Sequence, residues 1–149
     1  MLNSDYKEML LILSEEKVKF LIVGAFALGS YGYPRATGDI DIWVEASSEN
    51  AKKIIKSLAK FGAPMSDIKA EDFEKQGIIY QIGVVPRRID IITEIDGVDF
   101  DIAYLNKKIV NIQDISVPIL SYDDLIKNKE STGREKDVLD VKMLKKLKK

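Results

Sequence analysis

The sequence of 149 residues contains no cysteine and no histidine. Without cysteine there is no disulfide, no zinc–thiolate site and no cysteine nucleophile. Without histidine there is no Ser-His-Asp triad, no histidine metal ligand and no histidine general base. Any chemistry must therefore use carboxylates, lysine, arginine, hydroxyls, backbone amides or a metal held by oxygen ligands.

Long hydrophobic runs are also missing. The longest stretch without a charge, residues 20–34, contains three glycines and a proline and is shorter than the ~20 apolar residues of a membrane span. The first ten residues carry an acid before any apolar run and no basic segment, so we expect no signal peptide. These features predict a cytoplasmic protein that does not associate with a membrane. The length and the 46% hydrophobic content predict one folded domain, residues 1–149.

Charge is unevenly distributed along the chain. Residues 127–149 contain nine Lys or Arg and four acids, a net charge of +5, whereas residues 1–126 carry −6 of the total of −1. The basic segment of this otherwise acidic chain could bind a polyanion such as RNA or a nucleoside triphosphate. For residues 142–149 a solvated terminal helix is the preferred explanation, because lysines favour the negative C-terminal end of the helix dipole.

Hydrophobic periodicity predicts helices and strands in alternation, which is typical of an α/β or α+β domain. Ser4 is the predicted cap of the first helix, and Ser47 or Ser48 that of the third. The predicted helices cover residues 4–16, 25–31, 48–61, 70–75, 100–105, 121–128 and 134–148. The predicted strands cover residues 19–23, 39–44, 78–85, 88–93, 109–112 and 117–120.

Three aspartates lie within apolar strand segments. Asp39 and Asp41 are two residues apart, so on a strand they share one face. Asp90 lies inside a second apolar strand. Like charges on apolar strands are costly, and a divalent cation such as Mg²⁺ would offset that cost. The sequence therefore predicts a metal site made of these three carboxylates.

Each aspartate taken alone has a simpler explanation. Asp39 could cap a turn, Asp41 could lie on an exposed edge, and Asp90 could pair with Arg87 or Arg88. The apolar surroundings of all three favour the metal site over these separate explanations. Trp43 is expected to point to the face opposite Asp41 and to serve packing.

A glycine turn precedes the aspartates. The apolar strand ends at Gly24 and passes into a short helix, whose N-terminal backbone N–H groups could bind a phosphate. The turn is not a Walker A loop, because Ser30 stands where that motif requires lysine. Arg35 and Thr37 lie between this turn and the aspartates, where they could contact the phosphates of the same nucleotide.

These elements together resemble the nucleotidyltransferase superfamily related to DNA polymerase β. The superfamily pattern begins with a strand and glycine turn, here Val23-Gly24-Ala25. Thirteen residues, 26–38, lead to the Asp-x-Asp element Asp39-Ile40-Asp41, and Ile89-Asp90-Ile91 matches the third carboxylate. Ala25 stands where the pattern has Gly or Ser, which leaves a backbone N–H but no hydroxyl for a phosphate oxygen. Ser30 could supply a hydroxyl instead.

The residues before Asp39 and those near the C-terminus resemble a narrower group, the small bacterial nucleotidyltransferases similar to AbiEii-type toxins. In that group a lysine assists with the triphosphate and an aspartate on the last helix completes the site. Lys129 and Asp137 are the matching residues here. The resemblance covers residues 21–42, 88–93 and 120–144. It implies a mixed β-sheet flanked by helices, with further helices at the C-terminus.

The resemblance also implies a reaction. Asp39, Asp41 and Asp90 would hold two Mg²⁺ ions, and an acceptor hydroxyl would attack the α-phosphate of a nucleoside triphosphate with release of pyrophosphate. The acceptor stays open: an RNA such as tRNA, a protein hydroxyl or a small molecule.

Three other interpretations stay open. The chain could be a nucleotide-binding module without activity, or a toxin–antitoxin subunit that acts with a partner chain. An Asp-x-Asp motif also occurs in glycosyltransferases, although a glycine turn so close upstream is not expected of them.

Overall fold

The computed structural model describes residues 3–33 and 38–148. Within these ranges it contains one six-stranded sheet, six α-helices and a short 3₁₀ helix, Ala70–Glu74. The strands are β1 Phe20–Val23, β2 Ile40–Val44, β3 Ile79–Ile82, β4 Ile89–Ile92, β5 Lys108–Ile112 and β6 Ile115–Ile119. The helices are α1 Ser4–Glu15, α2 Gly24–Ser30, α3 Ser48–Phe61, α4 Phe100–Leu105, α5 Tyr122–Thr132 and α6 Glu135–Lys148. The predicted α/β class is confirmed.

The sheet is mixed, with the strand order β3-β4-β2-β1-β6-β5. β2 runs antiparallel to β1 and parallel to β4, while β1 runs parallel to β6. The end of β1 therefore meets the beginnings of β2 and β4 at one edge of the sheet. The chain turns there into α2, and the aspartates of β2 and β4 lie at the same edge.

Side chains alternate between the two faces of the sheet, and each face has its own apolar cluster. Ile40, Ile42 and Val44 pack in the cluster with α1 and α3. Trp43 packs with Leu21 and Val23 in the cluster on the other face, with residues of α2, α4, α5 and α6. The prediction that Trp43 points away from Asp41 is wrong, because residues two apart on a strand share a face.

Local signals explain most helix ends. The N-cap of α1 is Asn3, whose side chain accepts the backbone N–H of Tyr6, so the prediction of Ser4 as the cap is wrong by one residue. Ser47 caps α3 and Ser121 caps α5 through the same kind of hydrogen bond. Gly133 ends α5 in the left-handed conformation, with a φ of 70°, which glycine adopts without steric cost.

Among the described residues, no helix has the length and the hydropathy that a membrane span requires.

Candidate functional site

Asp41 and Asp90 lie side by side in adjacent parallel strands. The register of β2 and β4 places them directly opposite each other. Neighbouring strands are roughly 4.8 Å apart, so the two carboxylates share the same face at close range. Asp39 immediately precedes β2, and its charge acts on Asp41. The three aspartates that the sequence singled out are therefore brought together.

The crowding of these carboxylates changes their acidity. Burial raises the pKa of Asp41 to about 6, and the charge of Asp90, a hydrogen bond shared with Asp90 and the charge of Asp39 act in the same direction. The Arg88 guanidinium opposes the shift but does not cancel it. The protein thus holds a carboxylate that is hard to ionise, and a cation in the cleft would relieve that cost.

Arg88 lies between Asp39 and Asp90. Its Nε is 2.7 Å from Asp90 Oδ1, and its terminal nitrogen is 3.1 Å from Asp90 Oδ2 and 3.7 Å from Asp39 Oδ2. Its backbone N–H donates to Asp39 Oδ1 at 2.9 Å. Asp90 therefore pairs with Arg88, as its simpler explanation predicts. The same ion pair lies within the carboxylate cluster that the sequence predicts as a metal site.

The donors of the cluster are suited to a hard cation, since carboxylate oxygens are the ligands that Mg²⁺ prefers. In the arrangement described for residues 3–33 and 38–148, however, no three acidic side chains form a group ready to hold a metal ion. The Arg88 guanidinium engages both Asp90 oxygens and approaches Asp39. The chemistry of the residues therefore fits Mg²⁺, provided that Arg88 releases them.

Gly24 brings the start of α2 against Asp41. Its φ is +70°, and a Cβ atom at this position would lie 2.2 Å from Asp41 Oδ2. The backbone thus approaches the carboxylate more closely than any other residue type would allow. The glycine of the superfamily pattern therefore has a steric reason here, and Ala25, which follows it, lines the same cleft.

We expect Gly24→Ala to destabilise the fold by about 2–4 kcal/mol, because it combines a left-handed backbone with overpacking against Asp41. Gly29→Ala is the matched control in the same helix, since a methyl group there would meet no heavy atom within 4 Å beyond its own helix. Alanine at this position should gain about 0.5–1 kcal/mol. Urea unfolding measures both, and equal effects of the two substitutions would contradict the close approach at Gly24.

The carboxylates form one wall of a cleft of about 800 Å³. The opposite wall comes from the end of α5 and the beginning of α6. It presents Asn128, Lys129, Thr132, Arg134, Lys136 and Asp137. The cleft therefore has an acidic wall on the sheet and a basic wall on the helices, an arrangement that suits a phosphate chain held with a cation.

Lys129 is buried in this wall and paired with two acids. Its Nζ is 3.2 Å from Asp137 Oδ1 and 3.3 Å from Asp140 Oδ2. Asp137 also accepts hydrogen bonds from Thr132 Oγ1 at 2.5 Å and from Arg134 Nε at 2.8 Å. Burial alone would raise the pKa of Asp137, but the hydrogen bonds from Thr132, Lys129 and Arg134 keep it below its usual value.

The remaining predicted nucleotide-binding residues have different places. The Ser30 hydroxyl is exposed and donates to the carbonyl of Phe26 at 3.2 Å, and Ser30 is not among the described residues that line the cleft. Arg35 and Thr37 lie outside the described residues.

Sequence reasoning missed several residues of the cleft. Arg88 entered only as a partner for Asp90, although its position two residues before Asp90 already places both on one face. Asp140 does not line the cleft but pairs with Lys129, which does; it lies three residues after Asp137, about one helical turn along α6, and this spacing was the available signal. The spacing of three residues between Arg134 and Asp137 is the same kind of signal, whereas nothing in the sequence indicates that Thr132 bonds to Asp137.

Comparison with solved structures decides the fold. TM1012, a candidate nucleotidyltransferase from Thermotoga maritima, matches with a TM-score of 0.62 over 98% of this chain and 94% of its own, at 17% identity. The lincosamide antibiotic adenylyltransferase LnuA, in its lincomycin-bound structure, matches with a TM-score of 0.62 over 98% of both chains, at 16% identity. The chain has a nucleotidyltransferase-like fold. No protein-family model and no curated protein matches the sequence significantly.

The nucleotidyltransferase-like fold confirms the predicted fold class. Both structural neighbours are covered almost from end to end. The narrower placement with the AbiEii-type toxins stays a prediction.

Proposed function

We propose that the chain transfers a nucleoside monophosphate from a nucleoside triphosphate to an acceptor hydroxyl and releases pyrophosphate. The observation that carries the proposal is the pairing of Asp41 with Asp90 on adjacent strands, beside the Gly24 turn and opposite a basic wall. The nucleotidyltransferase-like fold supports it.

Asp39, Asp41 and Asp90 are the residues that would hold Mg²⁺. When bound, the metal supplies Lewis-acid stabilisation of the charge that develops on the phosphate oxygens. Arg88 is the counter-ion of this cluster without metal. Once released from Asp90, its guanidinium is available to the phosphates, for which it has matching geometry.

The basic wall binds the triphosphate in this proposal. Arg134 is 70% exposed as a side chain while its Nε is fixed by Asp137, so the guanidinium is both positioned and accessible. Lys136 is exposed beside it. Lys129 lies buried in the same wall, where it holds Asp137 and Asp140, and Ala25 lines the cleft on the side of the carboxylates.

The reaction is a substitution at the α-phosphorus. The acceptor oxygen forms the new bond to phosphorus, and the bond to the oxygen that bridges the α- and β-phosphates breaks. Its electron pair leaves with pyrophosphate, and the hydroxyl proton passes to Asp90. The site needs no histidine for this, because the carboxylate cluster both orients the acceptor and accepts the proton.

Nucleotide binding is the first test. We expect one of ATP, CTP, GTP and UTP, with Mg²⁺, to raise the melting temperature by about 6–10 °C at a concentration near 100 times its Kd. ATP is the first choice because LnuA is an adenylyltransferase. The shift should disappear in Asp39→Asn/Asp90→Asn and persist in the control Asp5→Asn/Glu8→Gln on exposed positions of α1.

The melting-temperature shift and pyrophosphate release together distinguish the transferase from a nucleotide-binding module. A Mg²⁺-dependent shift with pyrophosphate release on addition of acceptors supports the transferase. A shift without release from any acceptor favours the nucleotide-binding module. No shift with any nucleotide contradicts the proposal. Dependence on a partner chain or antitoxin, or a tRNA acceptor, stays a prediction from the resemblance.

A further inference from the structure

Tyr6 is a buried polar residue of α1 that the proposed function does not use. Its side chain is only 2% exposed and belongs to the apolar cluster on the sheet face that α1 and α3 cover. Ile40 and Ile42 point to the same cluster, so the carboxylates of Asp41 and Asp90 lie on the opposite face. Tyr6 therefore approaches the carboxylate cluster from behind the sheet, and it is not among the described residues that line the cleft.

The Tyr6 hydroxyl contacts the backbone at the point where β2 and β4 begin. It donates a hydrogen bond to the carbonyl oxygen of Gly38, which directly precedes Asp39. The same hydroxyl lies 3.4 Å from the carbonyl oxygen of Arg88, two residues before Asp90. These contacts join Tyr6 to segments that are 32 and 82 residues away in the sequence. One side chain thus bridges the two segments that carry Asp39 and Asp90.

The same two backbone segments are also bonded to each other. The Ile40 N–H donates to the Arg88 carbonyl at 3.0 Å, and the Arg88 N–H donates to Asp39 Oδ1 at 2.9 Å. A Cβ atom at Gly38 would lie 1.8 Å from the carbonyl oxygen of Pro86, so the segments approach more closely than a side chain would allow. A displacement of either segment would therefore move Asp39 relative to the other two aspartates.

The aromatic ring of Tyr6 adds a contact with the helix that follows the glycine turn. It packs edge-to-face on Phe26 of α2, with ring centroids 5.9 Å apart. α2 begins at Gly24, whose backbone lies against Asp41. Burial raises the pKa of Tyr6, and the charge of Asp39 acts in the same direction, so the hydroxyl stays protonated and remains a donor.

We propose that Tyr6 is a positioning residue, whose hydroxyl fixes the spacing of Asp39 and Asp90 and so prepares the carboxylate cluster for Mg²⁺. The inference rests on the proposed function, in which these carboxylates hold the metal. Mg²⁺ demands a nearly ideal ligand geometry, so it binds well only where the oxygens are held in place. Packing alone would require only the ring, and the hydroxyl is therefore the group to remove in a test.

Tyr6→Phe removes the hydroxyl and keeps the ring. Tyr31→Phe is the matched control, because the Tyr31 hydroxyl also donates to a backbone carbonyl, that of Leu120, at 2.7 Å. Tyr31 is not among the described residues that line the cleft. Each variant loses one hydrogen bond, so both should lower the melting temperature by a similar amount, about 2–6 °C.

The first readout is the Kd for Mn²⁺, a paramagnetic substitute for Mg²⁺, titrated by water-proton relaxation without nucleotide. We expect Tyr6→Phe to weaken Mn²⁺ binding about tenfold, as the loss of a group that orients metal ligands does, and Tyr31→Phe to change it by less than about twofold. A hydroxyl that only stabilised the fold would leave the Mn²⁺ affinity of the folded chain unchanged.

The second readout is amide hydrogen exchange at Ile40 and Arg88, whose N–H groups bond the two segments to each other. Tyr6→Phe should speed the exchange of both amides about fivefold relative to the amides of β1, because local opening no longer breaks the hydrogen bond of the hydroxyl. Tyr31→Phe should leave this ratio unchanged.

The outcomes distinguish this inference from the proposed function. If Tyr6→Phe binds Mn²⁺ as the wild type does, or if both variants lose the same affinity, the positioning role is wrong and the transferase stands. Weaker Mn²⁺ binding without faster exchange at Ile40 and Arg88 also overturns the inference, because the two segments would then be no looser. A wild-type chain that binds no Mn²⁺ contradicts the metal site itself, and with it the proposed function.

Discussion

Asp41→Asn should abolish nucleotidyl transfer and at the same time stabilise the folded chain at neutral pH. In the proposed function this cluster holds the metal, so removal of one of its carboxylates would cost several kcal/mol of transition-state stabilisation, and we expect a loss of activity of more than about 10³-fold. The substitution keeps the shape of the side chain and removes a charge that burial and two neighbouring aspartates oppose. Pyrophosphate release measures the first effect and urea unfolding the second.

The stability effect has a defined pH window. The pKa of Asp41 is about 6 in the folded chain and 3.8 as its ordinary value. Below the ordinary value, the carboxyl is protonated in both states and costs nothing. As the pH rises towards 6, the unfolded chain loses this proton before the folded chain does, so the free energy of unfolding falls. Above pH 6 the carboxyl is ionised in both states, and the total decrease reaches about 3 kcal/mol as an upper limit.

Asp41→Asn removes this pH dependence. Without metal, in the presence of a chelator, the variant should match the wild type near pH 4 and exceed it by about 2 kcal/mol at pH 7 to 8. Asp5→Asn on the exposed beginning of α1 is the control and should follow the wild type at each pH. A variant that is less stable than the wild type at pH 8 would mean that Asp41 has stabilising contacts that outweigh its burial.

Lys129→Met should destabilise the fold by about 3–5 kcal/mol. Methionine retains most of the volume, but the substitution leaves Asp137 and Asp140 buried with one cation fewer. Removal of one partner of a buried ion pair destabilises the fold more than replacement of the whole pair does, because the remaining charge stays desolvated without a counter-ion. Urea unfolding near pH 7 measures the loss.

A second substitution makes the Lys129 prediction specific. Asp140→Asn, combined with Lys129→Met, should recover at least about 1 kcal/mol, since it removes one of the two buried charges that the lysine served. Lys142→Met on the exposed face of α6 is the control for the charge change and should alter stability by less than about 0.5 kcal/mol. Equal losses for Lys129→Met and Lys142→Met would contradict a structural role for the buried pair.

The boundaries of most elements were predictable because the signals are local. Gly62 and Gly133 end α3 and α5 in left-handed conformations, and Ser47 and Ser121 cap the beginnings of these helices. The 78–85 strand prediction was too long, since β3 covers only Ile79–Ile82. An apolar pattern continues through the Val84-Val85 segment, but those side chains are exposed beyond the paired part of the strand.

The carboxylate cluster was predictable for a different reason. Aspartates within apolar strands are costly wherever they lie, so their presence in Ile40–Val44 and Ile89–Ile92 indicates a site before any contact is known. Their adjacency was not predictable from this cost. It depends on the parallel pairing of β2 with β4, which joins segments about fifty residues apart in the chain.

By itself, the sequence determined the helices and strands, the glycine turn and the three aspartates, because periodicity, capping and burial costs act over a few residues. The tertiary structure alone decided that Lys129 neutralises Asp137 and Asp140, whereas the Arg88–Asp90 pair was already among the local alternatives that the sequence offered. The tertiary structure also placed the hydroxyl of Tyr6 behind the carboxylate cluster. Electrostatic partners and cavities depend on distances between distant segments, and those distances exist only after the sheet and helices have packed.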